Sequence, residues 1–239
     1  MIIGFATGNF YKLIREEKDA FSSLNINRLK AGGFANAVEL HCPNEEMIDY
    51  LIQKKDLDLS SFPYISVHAP SLINNREGVV RRVLNKLRDL KEKYKIKNFV
   101  FHVEKGVDWN IFSYYLDLPV SIENMDNEKD VGKNIEDIEM ILKNHPFNLT
   151  LDLQHCFTND RSMKLAIDLQ EIFGERITEY HISGFEKEIL HYPLFETNQN
   201  IIIESLLYED IPIIIESCFK ERGEEIKELR YIGEVIKLS

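Results

Sequence analysis

The chain has 239 residues, 44 % hydrophobic and 29 % charged, which supplies enough apolar material for a sizeable core and excludes a disordered chain. A formal net charge of -11 argues against broad contact with phosphate backbones, which calls for a basic face. Three cysteines, Cys42, Cys156 and Cys218, form no CxxC pair and leave an odd one in any disulfide scheme, so a reducing compartment, the cytoplasm by default, is expected.

The opening "MIIGFATGNF" carries no charged leader followed by a long apolar run, and no apolar stretch approaches the roughly 20 residues of a membrane helix, so an untargeted, soluble protein is expected. The first strand is read at 2–6 (IIGFA); the "ATGNFYK" that follows has one glycine and is a weak phosphate signal. Strands follow at 37–41 (AVELH) and 64–68 (YISVH), then a helix over 76–95, where Val80, Val83, Leu84, Leu87 and Leu90 keep one face apolar. Strands at 98–102 (NFVFH) and 119–123 (PVSIE) precede a helix over 131–145. A strand at 149–153 (LTLDL) precedes a helix over 161–174 that Gly174 stops. Strands at 177–181 (ITEYH) and 211–216 (IPIIIE) and a helix over 223–239 complete the chain.

Most of these eight strands are nearly continuous apolar runs, as in a parallel sheet covered on both faces. Eight strand-helix units of about 30 residues, with no Pro/Gly/Ser-rich linker between them, predict an α/β fold: a (β/α)8 TIM barrel, a single domain over 1–239. An open doubly wound sheet is the competing architecture, but it would carry a glycine-rich first turn and fewer strands.

In such a barrel the chemistry gathers at the C-terminal ends of the strands. Those ends read His41, His68, His102, Glu123, Asp152, His181 and Glu216, with His155 and His191 in the loops after the sixth and seventh strands. A lone imidazole there is more often a hydrogen-bonded rim group, and a lone carboxylate a helix cap. Several acids aimed at one axis, however, repel and pay heavy desolvation costs unless a cation or protons neutralise them. Consecutive strands bring Glu123, Asp152, His181 and Glu216 around one point as a complete ligand set. His68 and His102 form a second position with Glu123 bridging, and His155 and His191 reach a third. Mixed imidazole and carboxylate ligation suits Zn, Mn or Fe, one to three ions per chain.

The segments "SVHAP" (66–70), "VFH" (100–102), "IEN" (122–124), "LDLQH" (151–155), "YHISG" (180–184) and "IIES" (214–217) together resemble the xylose-isomerase-like TIM-barrel superfamily, which includes sugar phosphate isomerases and epimerases and endonuclease IV. The resemblance to the isomerases and epimerases implies one divalent metal on Glu123, Asp152, His181 and Glu216. Glu123 and Glu216 would then move a proton beside a substrate carbonyl, with His155 positioning a substrate oxygen. The resemblance to endonuclease IV, of AP endonuclease family 2, implies instead a zinc cluster for phosphodiester cleavage, with His68, His102 and Glu123 at one metal and His155 and His191 at another. That family places an Asp two residues before the last His, where this chain has Ile189; Glu186 or Glu188 would have to substitute.

An isomerase or epimerase of a small sugar or sugar phosphate is therefore the expected activity. The metal-dependent phosphodiesterase is the alternative, and a non-catalytic metal- or ligand-binding barrel a third reading. Lys105, Lys187 and Lys220, with Arg222, follow strands and are candidate phosphate binders, although solvated loop charges are the favoured explanation of them. The three thiols are expected to pack, His41 to bond at the rim and His145 to lie at the opposite end. The aromatic group Trp109, Phe112, Tyr114 and Tyr115 is expected mostly to pack beneath a helix, as are the runs at 113–116 and 201–208.

Overall fold

The computed structural model describes residues 1–72, 76–187 and 189–238. Strands β1 (Ile3–Ala6), β2 (Ala37–His41), β3 (Tyr64–His68), β4 (Asn98–His102), β5 (Val120–Glu123), β6 (Asn148–Asp152), β7 (Ile177–Ile182) and β10 (Ile213–Ile215) form a closed ring in which every pairing is parallel. The ring closes between β1 and β10, with Ile3 opposite Ile213. All eight barrel strands fall where the apolar runs predict them. Two shorter strands, β8 (Gly184–Glu186) and β9 (Ile189–Tyr192), form an antiparallel hairpin beyond β7 that the pattern of runs did not reveal.

Helices α1 (Ser23–Leu29), α2 (Glu45–Gln53), α3 (Glu77–Tyr94), α4 (Ile135–Asn144), α5 (Leu153–Asn159), α6 (Lys164–Phe173), α7 (Leu194–Thr197), α8 (Asn200–Glu204) and α9 (Glu224–Leu238) lie between and after the strands. The five apolar residues that predicted α3 are all buried, since a stripe at helical spacing has only the barrel wall to cover it. One expected unit departs from the pattern: β4 and β5 are joined by a 3-10 turn, Trp109–Tyr114, instead of an α-helix. Its Trp109 and Phe112 pack on Phe147, 5.8 and 5.4 Å between ring centroids, so they support the wall and do not reach the mouth. Tyr115 is buried with them, whereas Tyr114 and Leu116 project to solvent, contrary to the expectation that the whole run packs.

Outward-facing strand residues such as Leu40, Val67, Phe101, Ile122, Leu151 and Ile182 form the apolar core against the helices. Side chains two apart on a strand share a face, and much of the inward set is polar: Glu39, Ser66, Ser121, Thr150 and Glu179 are all fully buried, beside a small apolar cluster of Ala6, Ala37 and Ile214. Ser121 and Thr150 hydroxyls bond at 2.6 Å, and Asn98 donates to Thr150 at 3.2 Å. Gly4 has a steric reason on this inner wall, because a Cβ there would stand 1.8 Å from the Ala37 carbonyl oxygen. Among the described residues no helix is long and apolar enough to cross a membrane.

Candidate metal centre

Parallel register sets the strand-end residues side by side: His41 opposite His68, His102 opposite Glu123, Asp152 opposite His181. Glu123 is the hub. Its Oε2 lies 3.2 Å from His68 Nε2 and 3.2 Å from His102 Nε2, while its Oε1 lies 3.1 Å from His181 Nδ1. Glu216, directly after β10, reaches His181 Nδ1 at 3.5 Å and His191 Nδ1 at 3.6 Å. Three groups among the described residues have ligand atoms within 4.8 Å of one another: Glu39, Glu179 and His181 deeper in the barrel, and two at the mouth, His68, His102 and Glu123, and Glu123, Asp152, His181 and Glu216. The two at the mouth are the first two of the three positions read from strand order.

Asp152 caps α5, one carboxylate oxygen accepting the His155 amide at 2.8 Å. Its other oxygen, Oδ2, is buried without a hydrogen-bond partner. Asn124 fixes this acid in place: its side chain accepts from the Asp152 amide at 2.7 Å and donates to the Asp152 carbonyl at 2.9 Å. The Asn124 carbonyl accepts from His155 Nδ1 at 2.8 Å, which leaves Nε2 as that ring's free nitrogen. His155 and His191 rings lie 5.9 Å apart. His191 holds a left-handed backbone (φ 59°), a conformation that costs a non-glycine residue about 1 kcal/mol or more and clusters at functional sites. The side chain of Ile189 and the whole of Glu188 lie outside the described residues; Glu186 is exposed.

The charges explain the titration behaviour. Burial pushes the Asp152 carboxyl up to about 7, with Glu123 and Glu216 adding to the shift against His155. Burial also opposes ionisation of Glu123, but His181, His102 and His68 overturn it and hold the group well below the usual carboxylate range. For His68 the order is the same: burial lowers it, and the hydrogen bond and charge of Glu123 outweigh burial and leave it at about 9. His41 shows the contrast. Burial, reinforced by His68, drops it to about 3, and it accepts the hydroxyl proton of Tyr11 at Nδ1 as a neutral ring on the rim, as expected.

Above the acids is a cavity of about 240 Å³ whose walls include Tyr11, His41, His102, Met125, Lys129 and His191. Tyr11, Met125, Lys129 and the positioning Asn124 escaped the sequence reading. The first three come from loops whose course no strand pattern dictates, though "IEN" did contain Asn124. Gly132 (φ 85°) shapes one of those loops: a Cβ there would stand 2.8 Å from Met125 and Val103. The candidate phosphate lysines stay out of the mouth. Lys220 is paired with Glu196 at 3.0 Å and with the Tyr192 hydroxyl, Lys187 is exposed at the β8–β9 turn, and Lys105 lines a neighbouring cavity beside His102 and Lys129. Of the thiols, Cys42 and Cys156 are buried, and Cys218 borders the mouth. His145 stacks on Phe147 away from it.

No protein-family model matches the chain, and no curated protein matches it. Solved structures do. Endonuclease IV from Thermus thermophilus is 15 % identical with a TM-score of 0.64, covering 90 % of this chain and 93 % of that one. A probable 3-DHS dehydratase involved in petrobactin synthesis from Bacillus anthracis is 14 % identical with a TM-score of 0.65, covering 99 % of each. A sugar phosphate isomerase/epimerase from Parabacteroides distasonis is 15 % identical with a TM-score of 0.61, covering 100 % of this chain and 93 % of that one. A xylose isomerase domain protein from Salmonella typhimurium is also among the neighbours, and these likenesses establish the fold of the chain as the (β/α)8 TIM barrel that those structures share.

Proposed function

We propose that the mouth of the barrel binds a divalent metal and that the protein is a metal-dependent isomerase or epimerase of a small sugar or sugar phosphate. The observation that carries this reading is a small cavity, about 240 Å³, lined by Glu123 and Glu216, which converge with the buried Asp152 and His181. That volume suits a molecule of a few carbons and not a duplex. The donor set fits a cation because the buried Asp152 Oδ2 has no hydrogen-bond partner among the described residues and three acids otherwise repel at close range. Mixed oxygen and nitrogen donors suit Zn²⁺, Mn²⁺ or Fe²⁺.

When bound, the metal supplies polarisation of a substrate carbonyl. Glu216 and Glu123 both border the cavity; Glu216 takes or returns the proton on the carbon next to that carbonyl, and Glu123 is the second carboxylate of the pair. His155 Nε2 orients a substrate hydroxyl, and Lys129 is the only Lys or Arg in the described lining, placed to meet a phosphate. Incubation with a panel of ketoses and ketose phosphates in deuterated water, with zinc or manganese added, tests this. Solvent deuterium should appear on the carbon beside the carbonyl, and Glu216→Gln should slow it by about 100-fold or more. No incorporation with any substrate or metal would refute the reading.

One observation favours a second reading. Glu123 divides its oxygens between His68 and His102 on one side and His181 on the other, which is how a carboxylate bridges two ions. A dinuclear site suits phosphodiester hydrolysis. Metal analysis of protein purified without chelator should then return two or three ions per chain instead of one, and an abasic-site duplex should be cut in a manner dependent on His102.

A further inference from the structure

Below the ligand set lies a second acid pair that does not touch the cavity. Glu179 stands two residues before His181 on the same inward face of β7, and Glu39 faces it from β2; both are fully buried. His181 Nε2 is 3.1 Å from Glu179 Oε1 and 3.2 Å from Glu39 Oε2, while its other nitrogen, Nδ1, is 3.1 Å from Glu123 Oε1. Neither oxygen of Glu39 makes a hydrogen bond. Both ring nitrogens thus face carboxylates, which only accept when ionised, so a cation that takes the place of the proton at Nδ1 leaves the one proton of the ring on Nε2. The lone pair of Nδ1 is then left facing Glu123 and Glu216.

We infer that Glu179 and Glu39 are positioning residues: from inside the barrel they fix the tautomer and ring plane of His181, so that Nδ1 is presented to the metal at the mouth. The inference rests on the metal reading above. Glu179 takes the hydrogen bond from Nε2, and Glu39 adds charge on the same side, which makes Nδ1 a more basic ligand. Burial accounts for the use of two acids in place of a carbonyl or water. Nothing else among the described residues lies within hydrogen-bond range of Nε2, and a charge is felt more strongly where solvent is excluded.

The test uses Zn²⁺ as probe, in competition with a chromogenic chelator, on the wild type, Glu179→Ala and Glu179→Gln. Alanine should weaken zinc binding by about 10- to 100-fold, and glutamine, whose amide oxygen still accepts from Nε2, should restore much of it. Nitrogen-15 spectra of the zinc-loaded wild type should show the His181 proton on Nε2 and slow to exchange, a readout that needs no variant to fold. A wild type that takes up no zinc overturns the metal reading and this inference with it. Zinc binding within about twofold of wild type in Glu179→Ala, or a proton found on Nδ1, overturns this inference alone. So does a Glu39→Ala variant that loses one whole ion while the mouth stays loaded, because the pair would then be a cation site in its own right.

Discussion

In the proposed metal site Asp152 has two uses, since one carboxylate oxygen caps α5 and the other has no hydrogen-bond partner among the described residues. Asparagine caps a helix about as well as aspartate, but its amide is a poor replacement for a carboxylate on a cation. Asp152→Asn should therefore change unfolding free energy by less than about 1 kcal/mol in metal-free protein while weakening zinc binding at least about tenfold, measured by denaturant titration and chelator competition. Glu228 presents the opposite case, a buried acid used only for structure. It accepts the amides of Leu194 and Phe195 at 2.8 and 3.0 Å and the Ser217 hydroxyl at 2.5 Å, tying α9 to the start of α7 and to the segment after β10. Glu228→Ala removes the acceptor of the buried Leu194 amide, the part-buried Phe195 amide and the Ser217 hydroxyl, and should cost roughly 2–4 kcal/mol in chemical denaturation without changing zinc affinity. At this scale the convergence of the proposed ligands was legible because each lies at or next to the C-terminal end of a strand. Glu39 and Glu179 were passed over although each stands two places before a strand-end histidine, a spacing that puts both on one face; the signal was the strand period itself. Tyr11 and Lys129 had no such signal, because their approach to the mouth is set by loop conformation.

Between elements, the link most open to measurement joins α2 to α3. Glu45 accepts from Arg82 at 2.7 Å and pairs with Lys86 at 2.6 Å, and Asp49 also takes Lys86 at 2.7 Å. Arg82 and then Lys86 hold the Glu45 carboxyl down at about 2 against an ordinary 4.5. A depressed acid contributes stability above its unfolded value and loses it as pH falls through the folded one. Arg82→Ala should therefore destabilise by under about 1 kcal/mol at pH 7, the pair being largely solvated, and the difference from wild type should shrink between pH of about 5 and about 2. Thermal unfolding of both proteins across that range checks it. A larger cost belongs to the inner face of α3, where fully buried Leu84→Ala should lose roughly 2–5 kcal/mol. The apolar stripe that makes Leu84 costly is the same stripe that made α3 legible in the sequence. The β8–β9 hairpin had no comparable signature: its strands are three and four residues long, too short for an alternating pattern to stand out from a loop. The missing helix after β4 was obscured by aromatic residues that pack equally well from a 3-10 turn.

For the molecule as a whole, barrel closure accounts for how residues from His68 to Glu216 reach one point, since eight parallel strands deliver eight C-terminal ends to one rim. The polar inner wall was less predictable. Barrel interiors are usually filled by branched apolar side chains, and here hydroxyls, amides and two acids lie beneath the mouth because they support a charged site above them. Closure also joins the two ends of the sheet, with β1 hydrogen-bonded to β10 across more than two hundred residues of chain. A polypeptide cut just before Ile213 would keep two raw sheet margins, one on β1 and one on β7, each offering unpaired amides and carbonyls to any other extended chain. During synthesis the same margins stay open until β10 leaves the ribosome, so the growing chain is most prone to self-association before that strand emerges.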